Sequence, residues 1–433
     1  QKTAYEIKEC DWSSDVCSSD LDWDNDTRFY MSGIGGNDGN ACCPVFYSVR
    51  TYNTSTNTYS NITSKNHVLV KGRGYRVYMS DNMSALNSPL IYNSIGTPNF
   101  LSVLSPTLTA GGTGNGWNLV GNPYACPISF ATLASVNTNI NSSGFMILQD
   151  NGSYATNPNS GIISPNQGFM VNTASNGSTI TFTEACKDAT SLPNLIRIAA
   201  PENYFTINVT NNVNGLGSQT SVAFADVAED KADGFDLPYL PNIFEEADNV
   251  WTSTLGMDQL IMNKLSNDGK DKIVPLTIKP GVIGSHSLSF TGASSLNTYN
   301  CIWLENLTSG EKVDVMKNPV YDFSVNSIDG DYRFLVHFEN REECNGVVSA
   351  NFKNEFFKTL VYNNGTGVVV RFGFSEITPV SVSVHNLLGQ EVIEPQKLMA
   401  GNDLIHLPIA QENQLYFITI RSGDQILTRK IIY

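Results

Sequence analysis

A two-residue period recurs along this chain, and it limits the fold more than any other feature of the sequence. Val380, Val382 and Val384 alternate with Ser381, Ser383 and His385, and Tyr416, Ile418 and Ile420 alternate with Phe417, Thr419 and Arg421. Successive side chains of a strand point to opposite faces, so the pattern specifies strands with one buried and one wetter face. Both runs end in turn residues. Asn386-Leu387-Leu388-Gly389-Gln390 leads into a second run over residues 391–393, and Gly389 can take the positive φ that a tight reversal needs. Ser422-Gly423-Asp424 leads into Ile426, Thr428, Lys430 and Ile432. Two hairpins are predicted at this end of the chain.

The same reading places strands upstream at residues 46–52 and 74–79, separated by a loop that includes the polar turn 53–57. A further strand falls at 145–149, with its turn at 150–152. After Leu192-Pro193-Asn194 they recur at 205–209, 221–225, 260–263, 273–278, 288–291, 301–305, 321–325 and 332–338. Many short strands with Gly-rich turns predict an all-β chain of tandem sandwich or jelly-roll domains. The one helix candidate, residues 243–251, lacks a sustained apolar stripe. A length of 433 residues suits two to four domains. Composition breaks at 192–194 and 339–343 divide the chain into 22–195, 196–343 and 345–433, the first expected to be truncated at its N-terminus.

The last of these domains resembles a known family, the type A C-terminal sorting domain of the type IX secretion route of Gram-negative bacteria. The resemblance rests on VSVSVHNLLGQEV at residues 380–392, LYFITIRSGDQ at 415–425 and TRKIIY at 428–433. Where many members open with a Pro-Asn-Pro turn, this chain has Leu360-Val361-Tyr362-Asn363-Asn364. The resemblance implies an immunoglobulin-like sandwich of about seven strands, with Asn386, Leu388, Gly389, Gln390, Gly423, Arg429 and Lys430 as the sorting-signal motif. It implies as partners the type IX secretion machinery and its C-terminal signal peptidase or sortase, with removal of the domain around residues 342–346. The mature protein would lie outside the cell or on the outer-membrane surface, reached through the periplasm, with surface lipopolysaccharide or polysaccharide as a further partner. Upstream, GWNLVGNPY at 116–124 and ISPNQGFMV at 163–171 resemble segments that recur in secreted proteins carrying this domain. Trp117 and Leu119 are expected to face a core, Asn122-Pro123 to break a strand and Gln167-Gly168 to start the next.

Residues 9–21, ECDWSSDVCSSDL, have no periodicity and resemble translated sequencing-adapter read-through, so residues 1–21 are read as a disordered or artefactual leader. With no initiator Met and no signal peptide ahead of an exported module, the chain is expected to be a C-terminal fragment.

A net charge of -15 excludes nucleic acid as a partner, because phosphate binders need a basic footprint. No run of about eighteen apolar residues marks a membrane-spanning segment. Asp22, Asp24 and Asp26 have the opening spacing of a calcium loop, but Thr27 stands where its Gly belongs and Gly33 where its bidentate Glu belongs. Asp226, Glu229, Asp230, Asp233 and Asp236 form the densest acidic cluster. Both are read as solvated loops, with calcium as the alternative and no other cofactor. Outside the leader the cysteines are Cys42, Cys43, Cys126, Cys186, Cys301 and Cys344, none at C-x-x-C spacing. Six cysteines allow fifteen pairings, of which Cys126 with Cys186 is preferred because both fall in one domain. His67, His286, His337, His385 and His406 are scattered, and no nucleophile elbow, P-loop or dinucleotide fingerprint occurs. The sequence therefore reads as non-catalytic: an exported, adhesin-like or structural surface protein. The alternative is the accessory or carbohydrate-binding tail of a larger secreted hydrolase.

Overall fold

The computed structural model describes residues 5–6, 29–30, 33, 47–64, 67–81, 99–149, 152–189, 203–254, 258–328, 331–341, 344, 359–363, 368–372, 374, 377–401, 403–409, 414–423 and 425–432. The leader's cysteines, Cys42, Cys43, the Asp22–Asp24–Asp26 run and the break at 192–194 lie outside them. The fold is all-β, as the alternation requires. Among the described residues no helix is long and apolar enough to cross a membrane.

In the first part of the chain, Trp117–Gly121 pairs antiparallel with Gly168–Asn172, Gly168 facing Gly121 and Asn172 facing Trp117. The two segments singled out by sequence are thus neighbours in one four-stranded sheet, completed by Gly144–Leu148 and Tyr154–Pro158. Phe145, Phe169 and Phe182 stack their edges and faces beneath it, with Phe130 against Phe145 at 4.8 Å. Phe130 opens the one α-helix among the described residues, Phe130–Val136, whose first turn is capped by the Ser129 hydroxyl accepting the Thr132 N–H. A separate sheet joins Val49–Asn53, its hairpin partner Thr58–Asn61, and Arg76–Asp81.

From Tyr204 to Glu339 the strands form one eleven-stranded sheet. Every strand expected here is present, and Asn249–Ser253 is a strand where a helix candidate had been read. Its last four residues are all buried, so it carries no alternation to mark it. One pair in the sheet is parallel, Gly217–Ala225 with Gln259–Ser266. The sheet doubles over on itself. Phe205 and Phe338 belong to strands far apart in sheet order, yet their rings meet edge to face at 5.3 Å. Phe224, Phe290, Tyr299, Tyr321 and Phe334 join them in this core.

Between these two parts runs a shared apolar cluster. Trp117, Met146, Tyr154 and Met170 pack with Tyr204, Leu237, Tyr239, Trp251, Ile261 and Met262. Polar bonds cross the same seam: the Trp117 indole donates to the Pro238 carbonyl at 3.0 Å, and the Tyr204 hydroxyl donates to Thr156 Oγ1 at 2.8 Å.

The C-terminal unit is two-layered. A three-stranded sheet, Leu360–Asn363, Val368–Arg371 and Leu404–Leu407, faces a four-stranded sheet ordered Glu391–Ala400, Thr378–Asn386, Leu415–Ser422 and Gln425–Ile432. Val368, Val370, Val380, Val382, Val384, Ile418 and Ile420 fill the space between. Both hairpins read from sequence are present, and a strand starts at Leu360 where the Pro-Asn-Pro opening is missing.

Candidate functional site

The alternation that buries Val382 and Val384 carries the chain to Asn386 at the end of its strand, and there the side chain takes over from the ladder. Asn386 Oδ1 accepts the N–H of Leu388 and of Gln390, each at 3.0 Å, and its Nδ2 donates to Gln390 Oε1 at 2.8 Å. The backbone closes the same loop: Asn386 N–H donates to the Gln390 carbonyl and Gly389 N–H to the Asn386 carbonyl. Gly389 sits at φ 76°, where a side chain would be strained although no atom stands within reach of a Cβ. Asn, Gly and Gln at these places thus fix the turn from within. What it presents is apolar, with Leu387 68 % and Leu388 81 % exposed.

The register carries two more motif residues to this end of the sheet. Lys430 pairs with Phe417, which pairs with His385, and Arg429 pairs with Ile418, which pairs with Val384. Asn386, Leu388, Gly389, Gln390, Arg429 and Lys430 therefore gather at one end. Gly423, at φ 56° between Ser422 and Gln425, lies at the other.

Arg429 has the strand parity of Leu427 and Ile431, which pack on the core. Its guanidinium faces the central sheet across a cavity of about 120 Å³ whose lining includes Trp251, Gln259, Thr277, Asp331, Arg333 and Arg429. Burial, and then the charge of Arg333, lower its pKa to about 10. Nearby, Arg371 Nη1 donates to the carbonyls of Leu307 and Thr308 at 3.3 Å each. The C-terminal unit thus rests on the central sheet through two arginines, and Arg429 serves this contact.

Elsewhere the polar residues noted in the sequence are committed to structure. Asn122 is fully buried, donating to the carbonyls of Cys126 and Ser164 and accepting the Tyr124 N–H. The acidic cluster disperses: Asp230 bonds Lys272, Asp233 accepts the N–H groups of Glu229 and Phe235, and Asp236 accepts those of Lys264 and Asp233. Burial pushes the Asp236 carboxyl up to about 6. Among the described residues no three His, Cys, Asp or Glu side chains converge on a point where a metal could sit.

Three features escaped the sequence reading. Cys301 is disulfide-bonded to Cys344, while Cys126 and Cys186, the preferred pair, are free. His286 and Asp248, both fully buried, meet at 3.1 Å, and His286 Nδ1 lies 3.0 Å from the Gly284 carbonyl. Both ring nitrogens lie within hydrogen-bond distance of acceptors, which favours the protonated ring: burial opposes that charge, but the Asp248 bond and charge and the Gly284 carbonyl raise its pKa. His337 donates to Glu305 at 2.9 Å, with Lys312 at 3.7 Å. Partners 38 or 32 positions apart leave no local spacing to find. Comparison of the chain with protein-family models, curated proteins and solved structures gave no match.

Proposed function

We propose that this chain is an exported, non-catalytic β-rich protein of the cell surface or the medium, adhesin-like or structural. Residues 345–433 are its sorting unit for the type IX secretion machinery of a Gram-negative cell, with that system's signal peptidase or sortase as a second partner. One observation carries the reading: motif residues from two stretches, 386–390 and 429–430, share one end of one sheet, around a turn locked by Asn386. Such a turn keeps its shape without a partner, so little ordering cost falls on binding. The exposed Leu387 and Leu388 are the groups a receptor would cover, each able to contribute about 1.5–3 kcal/mol when fully buried. The non-catalytic half of the reading is supported by the two histidine–carboxylate pairs, His286 being held by Asp248 and the Gly284 carbonyl and His337 by Glu305.

The test is delivery of the full chain, given an export signal, in a host that has this machinery. Asn386→Ala and Leu388→Ser are expected to lower surface protein about tenfold, equivalent to roughly 1.4 kcal/mol of recognition energy. Equal delivery with and without residues 424–433 would sink the proposal.

A further inference from the structure

The C-terminal edge of the central sheet is fastened at successive points. Cys301 and Glu339 are register partners on neighbouring strands. Just beyond, Asn300 grips Arg341 from two sides: its Nδ2 donates to the Arg341 carbonyl at 2.6 Å, and its Oδ1 accepts the Arg341 N–H at 3.0 Å. The Arg341 guanidinium reaches Glu339 at 2.7 Å and Asp271 at 3.1 Å. Cys344 is then bonded to Cys301, with their Cα atoms 5.6 Å apart.

Only Glu342 and Glu343 separate Arg341 from Cys344. An extended residue spans at most about 3.5 Å, so the three steps between these two fixed points cover roughly 10 Å. A protease that needs an extended segment cannot draw this stretch into its cleft without first releasing the Asn300 grip or the disulfide. The disulfide also gives the chain a second covalent path. Hydrolysis of any peptide bond between Cys301 and Cys344 leaves the two pieces joined through sulfur, whereas hydrolysis after Cys344 leaves no covalent bond between them.

We infer that Cys301–Cys344 is a retaining latch at the junction of the central and C-terminal units, so that processing which frees the C-terminal unit cuts on the C-terminal side of Cys344. Hydrolysis adds one water across one peptide bond and leaves the S–S bond intact. Freeing a piece cut before Cys344 requires in addition a dithiol reductant, which supplies two electrons and two protons and is itself oxidised to a disulfide. The latch does not depend on the export proposal. Its consequence for maturation does: a cut expected within residues 342–346 is restricted to the bonds after Cys344.

The experiment needs no secretion host. The purified full chain is digested under non-reducing conditions with trypsin, which has sites after Arg341, Lys353 and Lys358, and with a glutamate-specific protease, which has sites after Glu342, Glu343 and Glu355. Fragments are separated in detergent, which removes non-covalent association, and weighed with and without dithiothreitol. Cuts after Lys353, Glu355 or Lys358 are expected to free C-terminal fragments without reductant. Cuts after Arg341, Glu342 or Glu343 are expected to run about tenfold slower than in the reduced protein, because the latch suppresses local opening, and to free nothing until reductant is added. Thiol labelling of the oxidised chain should leave Cys301 and Cys344 unmodified, which keeps the test valid if a Cys301→Ser variant fails to fold. A fragment starting at Glu342, Glu343 or Cys344 that separates from the oxidised chain, or labelling of both cysteines, overturns the latch.

Discussion

In the central unit, Phe205 meets Phe338 at 5.3 Å, Phe224 meets Tyr299 at 4.6 Å, and Tyr321 meets Phe334 at 6.1 Å. In the C-terminal unit the same space is filled mainly by valine and isoleucine, with Phe372, Phe374 and Tyr416 the aromatic members of its core. The central unit also buries charge, in His286–Asp248 and in Lys272, which is 6 % exposed between Asp230 and Asp268. It pairs strands distant in sequence, such as Lys272–Lys279 with Tyr332–Glu339. The four-stranded C-terminal sheet is built around two local hairpins, and its unit leaves Ile377, Leu387, Leu388, Met399 and Ile426 each more than half exposed. Directional contacts and long-range pairing define one shape for the central unit. Local hairpins fold fast, and exposed apolar groups suit a surface that another molecule covers.

If the two units are as independent as their separate cores imply, damage to one should spare the other. Phe338→Ala removes a ring that touches Phe205, Phe224 and Tyr299, and should destabilise the central unit by about 3–5 kcal/mol. Hydrogen exchange read by mass spectrometry should then show lost protection across Tyr332–Glu339 and none lost across Leu415–Ser422. Joint loss in both strands would break the comparison.

A smaller effect sharpens it through pH. Asp248→Asn removes the carboxylate that favours the protonated His286 ring and should cost about 3 kcal/mol at low pH. Because the pKa of His286 is raised on folding, its stabilisation is complete below the unfolded value near 6.5 and is lost as pH rises through the folded value. Asp236, pushed up to about 6, holds its proton more tightly when folded, so it too favours the folded state at lower pH. Denaturant titrations should find the wild-type central unit less stable at about pH 8 than at about pH 5.5, by roughly 1–2 kcal/mol. Asp248→Asn should flatten part of that slope. A rise in stability over the same interval would contradict the charged pair.

The smallest effect belongs to the turn. Asn386→Ala removes the acceptor for two N–H groups and should cost the C-terminal unit about 1 kcal/mol, with no change in the central unit's unfolding midpoint. A shift in the central midpoint would mean that the turn supports the docked contact as well as its own hairpin.

The strands of the two C-terminal hairpins could be read in advance because apolar and polar residues alternate along them: Val380, Val382 and Val384 are buried and their intervening partners are polar, whereas Val368–Arg371, with three successive buried valines, carries no such pattern. Asn249–Ser253 could not, since both of its faces are covered and nothing alternates. Phe130–Val136 is only 7 residues long, and its signal lay in one Ser cap rather than in a repeated stripe. Within the candidate site, sequence picked out the residues that make the turn but not the register that brings Arg429 and Lys430 beside it. The Cys301–Cys344 bond and the His286–Asp248 pair depend on strand order, which no short window contains.

The seam between Trp117, Met146 and Met170 on one side and Ile261 and Met262 on the other sets a timetable for the chain's manufacture. When Met170 leaves the ribosome, the residues that complete its cluster, Tyr204 to Met262, are about 34 to 92 positions away, and at 5–20 residues per second they follow roughly 2–20 s later. Until the last of them emerge, the cover over Trp117 and its neighbours is incomplete. The first half of this molecule must therefore be kept from sticking to other chains until its own second half arrives.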